Sequence, residues 1–218
     1  MKVQSGGAVA RGELGKEAKR KTILAAAVQV FAEKGYFGAR MRDVAAAAQV
    51  ADGTLYLYFD SKEDLLTAVL EEHAQAFVER ARRDCARLAD PRHRLHAVLE
   101  RHLVSLEANR ALATVFQIEL RHSRKFLRRI AKGQVSQYLQ LLQEIVASGV
   151  SQGIFRRELD PKVAARVIFG AVDELVTAWV LSQKPSGLKE QLAPLLEVLF
   201  YGLCGSESNE AHGKRGEP

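Results

Sequence analysis

Val44-Ala45-Ala46-Ala47-Ala48-Gln49-Val50-Ala51-Asp52-Gly53-Thr54-Leu55-Tyr56-Leu57-Tyr58-Phe59 says more about the fold than any other stretch of this chain. It reads as two short helices, Arg42 to Ala48 and Asp52 to about Phe59, with a tight break at Gln49 to Ala51. Asp52 is placed as an N-cap, because its carboxylate can accept a hydrogen bond from an orphan amide two or three residues on. Val44, Val50 and Leu55 are spaced to share one small core. This is the pattern of a helix-turn-helix, whose second helix enters a DNA major groove. That helix is a poor stability element, since Gly53 and Thr54 in its first turn are weak helix formers. Glycine lets a backbone approach phosphates, and Thr and Tyr hydroxyls can bond phosphate oxygens. The alternative is a buried helical turn with aromatic plugs. The candidate DNA face comprises Arg40, Arg42, Asp52, Gly53, Thr54, Tyr56, Leu57, Tyr58 and Lys62, with Thr54, Tyr58 and Lys62 as phosphate contacts.

Outward from this segment the chain reads as all-α. It has 218 residues, 47% of them apolar, with only five prolines and few β-branched alternations, so sheets are disfavoured. A first helix spans about Glu17 to Glu33, with Ile23, Ala27, Val30 and Phe31 at helical spacing and Gly35 as its stop. Ser61, with Asp64 three residues on, opens a bridging helix to about Leu88. Asp90-Pro91 starts a helix to about Ala108. Another runs from Ala111 to Leu120, a long one from Arg124 to Ser151 that frays at Gly149 and Gly153, one from Asp160-Pro161 to beyond Val180, and a last one from Leu188 to Leu203. The total is nine. Residues 1–15 and 206–218, rich in Gly, Ser and charge, are expected to be disordered. The helix-turn-helix domain is placed at 16–60 and a helical ligand-binding and dimerisation domain at 61–205.

The net charge is +6 and the pI about 9.4, compatible with a nucleic-acid partner. Cys85 and Cys204 are far apart and read as reduced thiols. With no apolar run near the ~18 residues of a membrane span and no signal-type leader at Met1 to Gly15, a cytoplasmic protein without membrane contact is expected. His93 and His96 lack a third ligand, so no metal site is expected. No nucleophile elbow or phosphate-cradling glycine loop occurs, and the chain is not expected to be an enzyme or to hold a cofactor.

The last two helices are apolar over more than one face. One face packs inward, and the second needs a partner, which predicts a homodimer through a four-helix bundle. Arg121, Arg124, Lys125, Arg128, Arg129 and Lys132 lie in a segment from 120 to 143 without Asp or Glu. Positions 121, 125, 128 and 132 form a stripe on one helical face. It is either a solvated basic surface or a dock for a multiply charged anion, since Arg binds phosphate as a bidentate fork.

Gly53-Thr-Leu-Tyr-Leu-Tyr-Phe59, Ser61-Lys-Glu-Asp-Leu-Leu66 and Ile23-Leu-Ala-Ala-Ala-Val-Gln-Val-Phe-Ala-Glu-Lys-Gly-Tyr36 resemble the signature of TetR-family one-component regulators. A threonine common in that family near Ala39 or Arg40 is missing, as is a glycine at Gln49. The second departure puts a side chain where the turn favours positive φ. Phe116-Gln-Ile-Glu-Leu-Arg-His-Ser123, the segment Arg166 to Val180, and Val50-Ala-Asp-Gly-Thr54 resemble the fatty-acid-degradation regulators of the FadR type. The resemblance implies the TetR-like fold, dimerisation through the last two helices, a palindromic double-stranded DNA operator, and release by a long-chain acyl-coenzyme A effector. Its tail would be lined by Phe116, Leu120, Leu142, Ile145, Phe169 and Trp179. Its phosphates would fall to Arg121, Arg124 and Arg128. The rival readings are a TetR repressor of an efflux or other metabolic operon answering a different lipophilic ligand, and an acyl-coenzyme A-binding protein or enzyme sharing the fold.

Overall fold

The computed structural model describes residues 6–118, 133–182 and 187–204, leaving out the side chains of 6–14 and 134. The described residues form nine α-helices and one 3-10 turn, and no strand. Their order is α1 (Gly6–Gly38), α2 (Met41–Ala47), α3 (Asp52–Tyr56), α4 (Lys62–Cys85), α5 (Pro91–Glu107), α6 (Arg110–Gln117), α7 (Gln134–Ser151), α8 (Pro161–Leu181), the 3-10 turn Lys189–Gln191, and α9 (Leu192–Leu203).

Most boundaries follow from local chemistry. Ser61 caps α4 by accepting from the Asp64 amide at 3.1 Å. Asp90 caps α5 through the Arg92 amide at 2.8 Å, Asn109 caps α6 through Leu112, and Asp160 caps α8 through Lys162, each satisfying an orphan donor. Pro91 and Pro161 follow their caps where a missing N–H is harmless.

Four expectations need correction. α1 begins at Gly6, well ahead of Glu17, because Ala8, Ala10, Arg11, Glu13 and Leu14 are strong helix formers. Gly35 does break it, with φ 69° and ψ 158°. The helix expected from Arg124 to Ser151 does not run through Gly133. Gly133 is non-helical (φ −98°, ψ −116°), and α7 starts only after it. The final helix starts at Leu192 rather than Leu188. Pro194 has no amide and its ring would clash with the carbonyl of residue 190, so the preceding residues take a 3-10 turn. Gly149 is not a frayed end, because α7 continues through it to Ser151. A Cβ there would lie 2.1 Å from the buried Phe155 ring. Gly149→Ala should therefore destabilise the protein by at least ~2 kcal/mol through overpacking, read as a lower urea midpoint at unchanged slope. The helix ends at Gly153 instead, which takes φ 69°. The expected turn at Pro185 lies largely outside the described residues, as do 1–5 and 206–218.

Two cores meet along α4. In the first, Ile23, Leu24, Ala27 and Phe31 of α1 close over Val44, Leu55, Phe59 and Leu65. In the second, Leu95, Leu99 and Leu103 of α5 pack with Leu142 and Ile145 of α7 and with Ile168 and Val172 of α8. α6 lies against α1 on one side and α8 on the other. No described helix is long and apolar enough to cross a membrane.

α8 and α9 leave an outward row of large apolar side chains uncovered in the single chain: Val163, Val167 and Leu181, with Val198 and Tyr201. Ala171, four residues after Val167, continues this face and is half-buried, whereas Leu199 is not on it. Leu199 is 7% exposed, and both pack on the chain's own core.

Candidate DNA-binding face and ligand site

α2 and α3 are too short to be stable alone, and tertiary packing holds them in place. Val44, Ala45 and Leu55 bury their inner sides completely. The turn between them has the positive φ expected at Gln49, 56°. That geometry turns Arg40, Arg42, Gln49, Asp52, Gly53, Tyr56 and Leu57 outward on one surface. Leu57 is 77% exposed on this surface. Thr54 and Tyr58 are half-buried beneath this rim.

The caps differ from expectation. α3 is capped by Ala51, with no side-chain bond, and Asp52 is its first residue, where a carboxylate still complements the helix dipole. The helix ends at Tyr56, short of Phe59. At α2 the absent threonine is replaced from inside the helix. Asp43 reaches back to accept from the Arg40 amide at 2.8 Å and pairs with Lys34 at 3.0 Å. The Lys34 bond first, and the Arg40 amide second, hold this carboxyl below the usual range.

Lys62 does not stand free toward the DNA side. Its ammonium donates to the carbonyls of Tyr36 (2.5 Å) and Ala39 (2.8 Å), approaches that of Phe37, and lies 4.5 Å from the Tyr36 ring centre. Burial lowers its pKa. The residue ties the C-terminal end of α1, beyond the break at Gly35, to the start of α4. Lys62→Met should cost about 1–3 kcal/mol in stability by orphaning these acceptors. It should weaken DNA binding without changing the salt slope. A slope lower by about one in a salt titration would return Lys62 to phosphate contact.

In the C-terminal body four rings from four helices converge: Phe77 (α4), His102 (α5), Tyr138 (α7) and Phe169 (α8), with centres 5.0 to 5.8 Å apart in successive contacts. His102 Nδ1 lies 3.0 Å from the Tyr138 hydroxyl. Nearby on α8, the Thr177 hydroxyl lies 3.1 Å from Oε1 of the buried Gln117. Of the sequence-derived ligand residues, Phe169 joins this cluster and Phe116 is half-buried beside Gln117. Leu142 and Ile145 keep almost no free surface and are core. Trp179 lies about 15 Å further along α8. Its ring packs under the Arg110 guanidinium at 4.7 Å, while that group caps the Val180 and Ser182 carbonyls. Leu120, Arg121, Arg124 and Arg128 lie outside the described residues.

His102 and Tyr138 were not anticipated. The signal was present: His102 sits at core spacing among Leu95, Leu99 and Leu106, and Tyr138 among Leu141, Leu142 and Ile145. A polar ring inside an aliphatic stripe calls for an explanation. Burial, offset in part by Asp173, lowers the His102 pKa to about 4 from 6.5. Between these values the unfolded chain binds a proton that the folded one refuses. Stability is therefore full above pH 6.5 and falls by about 3 kcal/mol as pH drops to 4. Asp43 and Asp90, whose pKa values are lowered by their hydrogen bonds, act only below the ordinary aspartate value of 3.8. Urea unfolding between pH 7.5 and 4.5 should show the His102 slope, and His102→Phe should remove it.

A cleft of about 990 Å³ opens elsewhere, between α5, the 3-10 turn and α9, beside Arg92, Glu100, Leu196, Phe200 and Tyr201. None of the expected ligand residues among the described ones lines it.

A short helix pair with an outward recognition face, joined through one long helix to a helical body with a polar-aromatic interior, is the architecture of a one-component DNA-binding regulator. Residues 23–69 match the model of bacterial regulatory proteins of the tetR family, and residues 70–202 that of the C-terminal region of YsiA-like proteins. The chain belongs to the TetR family. The two matches meet inside α4. The chain is 37% identical over 188 residues to the fatty acid metabolism regulator protein of Bacillus subtilis, covering 86% of this chain and 97% of that one. It superposes on the fatty acid degradation regulator FadR of Bacillus halodurans with a TM-score of 0.81 at 39% identity, covering 84% and 95% of the two chains. It also superposes on the transcriptional regulator FadR of B. subtilis in complex with stearoyl-CoA, with a TM-score of 0.80 at 36% identity, covering 84% and 98%. The family and these relatives are transcriptional regulators, not enzymes.

Proposed function

We propose that this chain is a homodimeric repressor of fatty-acid degradation genes that leaves a palindromic operator when a long-chain acyl-coenzyme A binds its C-terminal body. The observation that carries this reading is the similarity to the B. subtilis regulator, whose structure holds stearoyl-CoA, across the C-terminal body as well as the DNA-binding helices. The half-buried Phe116 and Phe169 on α6 and α8 suit a tail threaded between these helices. Arg121, Arg124 and Arg128 are the cations proposed for the phosphates, from their spacing in the sequence.

Release follows from differential affinity for two arrangements of the helices. A tail entering beside Phe116 displaces α6. Because α6 packs on α1, and Arg110 ties its start to the end of α8, that displacement reaches the DNA-binding helices. Arg20 on α1 pairs with Glu72 on α4 at 2.5 Å, so α1 and α4 move together. The spacing of the two recognition helices then departs from the ~34–36 Å of one DNA turn.

A mobility-shift assay on the promoter region of the chain's own gene tests this. Palmitoyl-coenzyme A should release the DNA at concentrations where palmitate and coenzyme A do not. Equal release by free palmitate, or none by the thioester, refutes it.

A further inference from the structure

His102 lies on the core face of α5, half-buried, with its Nδ1 beside the Tyr138 hydroxyl. The proton positions follow from hydrogen-bond accounting. A buried phenol needs an acceptor for its O–H. Among the described residues the acceptor bonded to the Tyr138 hydroxyl is His102 Nδ1, so the phenol donates and Nδ1 accepts. A neutral imidazole that accepts at Nδ1 carries its proton at Nε2. His102 is neutral at physiological pH because burial holds its pKa near 4. Its Nε2–H donates to no described residue.

That donor is not sealed in packing. No fully buried side-chain nitrogen or oxygen among the described residues lacks a partner. His102 also retains unpacked surface despite its depth. The Nε2–H is therefore reachable from open space beside the half-buried Phe77 ring. A saturated hydrocarbon entering this space offers no acceptor. A carbonyl oxygen does.

We propose that His102 Nε2–H donates a hydrogen bond to a carbonyl oxygen of the effector, the thioester carbonyl of an acyl-coenzyme A, with Tyr138 as the positioning residue that fixes the tautomer. This rests on the acyl-coenzyme A reading above and adds to it a residue that distinguishes a thioester from an otherwise identical thioether. A site built around a donor disfavours an analogue lacking the acceptor, because the donor is then left unpaired.

The test uses the full chain and two ligands of equal length, palmitoyl-coenzyme A and S-hexadecyl-coenzyme A, which lacks the carbonyl. Calorimetric titration should show the thioester bound about tenfold more tightly by the wild type. The two affinities should converge in His102→Phe and approach each other in Tyr138→Phe. A palmitoyl-coenzyme A labelled with carbon-13 at the carbonyl should show a lowered C=O stretching frequency when bound to the wild type. This readout stands even where a variant fails to fold. Equal wild-type affinities, an unshifted carbonyl band, or a preference surviving in His102→Phe overturns the proposal while leaving the acyl-coenzyme A reading intact. Failure of both ligands to bind removes that reading and the proposal with it.

Discussion

Octanoyl-coenzyme A is expected to release operator DNA at least ~100-fold less effectively than palmitoyl-coenzyme A, although the two carry identical phosphates. The two tails differ by eight methylenes. At about 0.8 kcal/mol for each methylene removed from water, full burial amounts to ~6 kcal/mol, or more than four powers of ten in affinity. The measured gap should be smaller, because interior space left unfilled by a short tail can be partly taken up by rearrangement of the half-buried Phe116 and Phe169. A titration of release across even-numbered chains should rise steeply and then flatten where the tail outgrows the space. A flat series would mean that the coenzyme A moiety alone carries recognition, and the helical body would lose its role as a tail site.

The elements whose chemistry is local were legible in the sequence. Ser61, Asp90 and Asp160 announce helix starts because a cap needs only its own side chain and the next turn's amides. Gly35 marks the stop in α1 for the same reason, whereas the positive φ at Gln49 follows only from the resemblance to the family's turn. Features set by distant partners were not legible. Gly149 looks like a helix breaker until Phe155 is seen resting on it. Lys62 looks like a phosphate ligand because it begins a helix next to the recognition element, but the end of α1 and Ala39 bring three carbonyls to it. Trp179 looks like part of a ligand wall until Arg110, remote in sequence, covers it. The His102–Tyr138 pair follows the same logic. Each residue occupies an ordinary core position on its own helix, and only the packing of α5 against α7 turns two unremarkable positions into one polar device.

A charge on the outward row of α8 and α9 should abolish operator binding while leaving the fold intact. Val167 is 60% exposed and Val198 72% exposed in the single chain, so neither supports the chain's own core. Replacing Val167 with Glu places no charge in that core, and circular dichroism and the thermal transition of the monomer should remain. In the proposed dimer the same residue is buried against a second copy, where an unpaired carboxylate costs several kcal/mol. α3 has only five residues, so one copy reaches few base edges, and operator affinity depends on both copies binding together. Joining two such modules typically multiplies affinity by 10²–10⁴. Val167→Glu should therefore sediment as a monomer and bind the operator about 10²–10⁴-fold more weakly. Leu199→Glu serves as the contrast, since that side chain is inside the core and its loss should unfold the chain rather than split a dimer. A Val167→Glu protein that still sediments as a dimer and binds DNA normally would place the interface on another face. The apolar row would then need a different explanation.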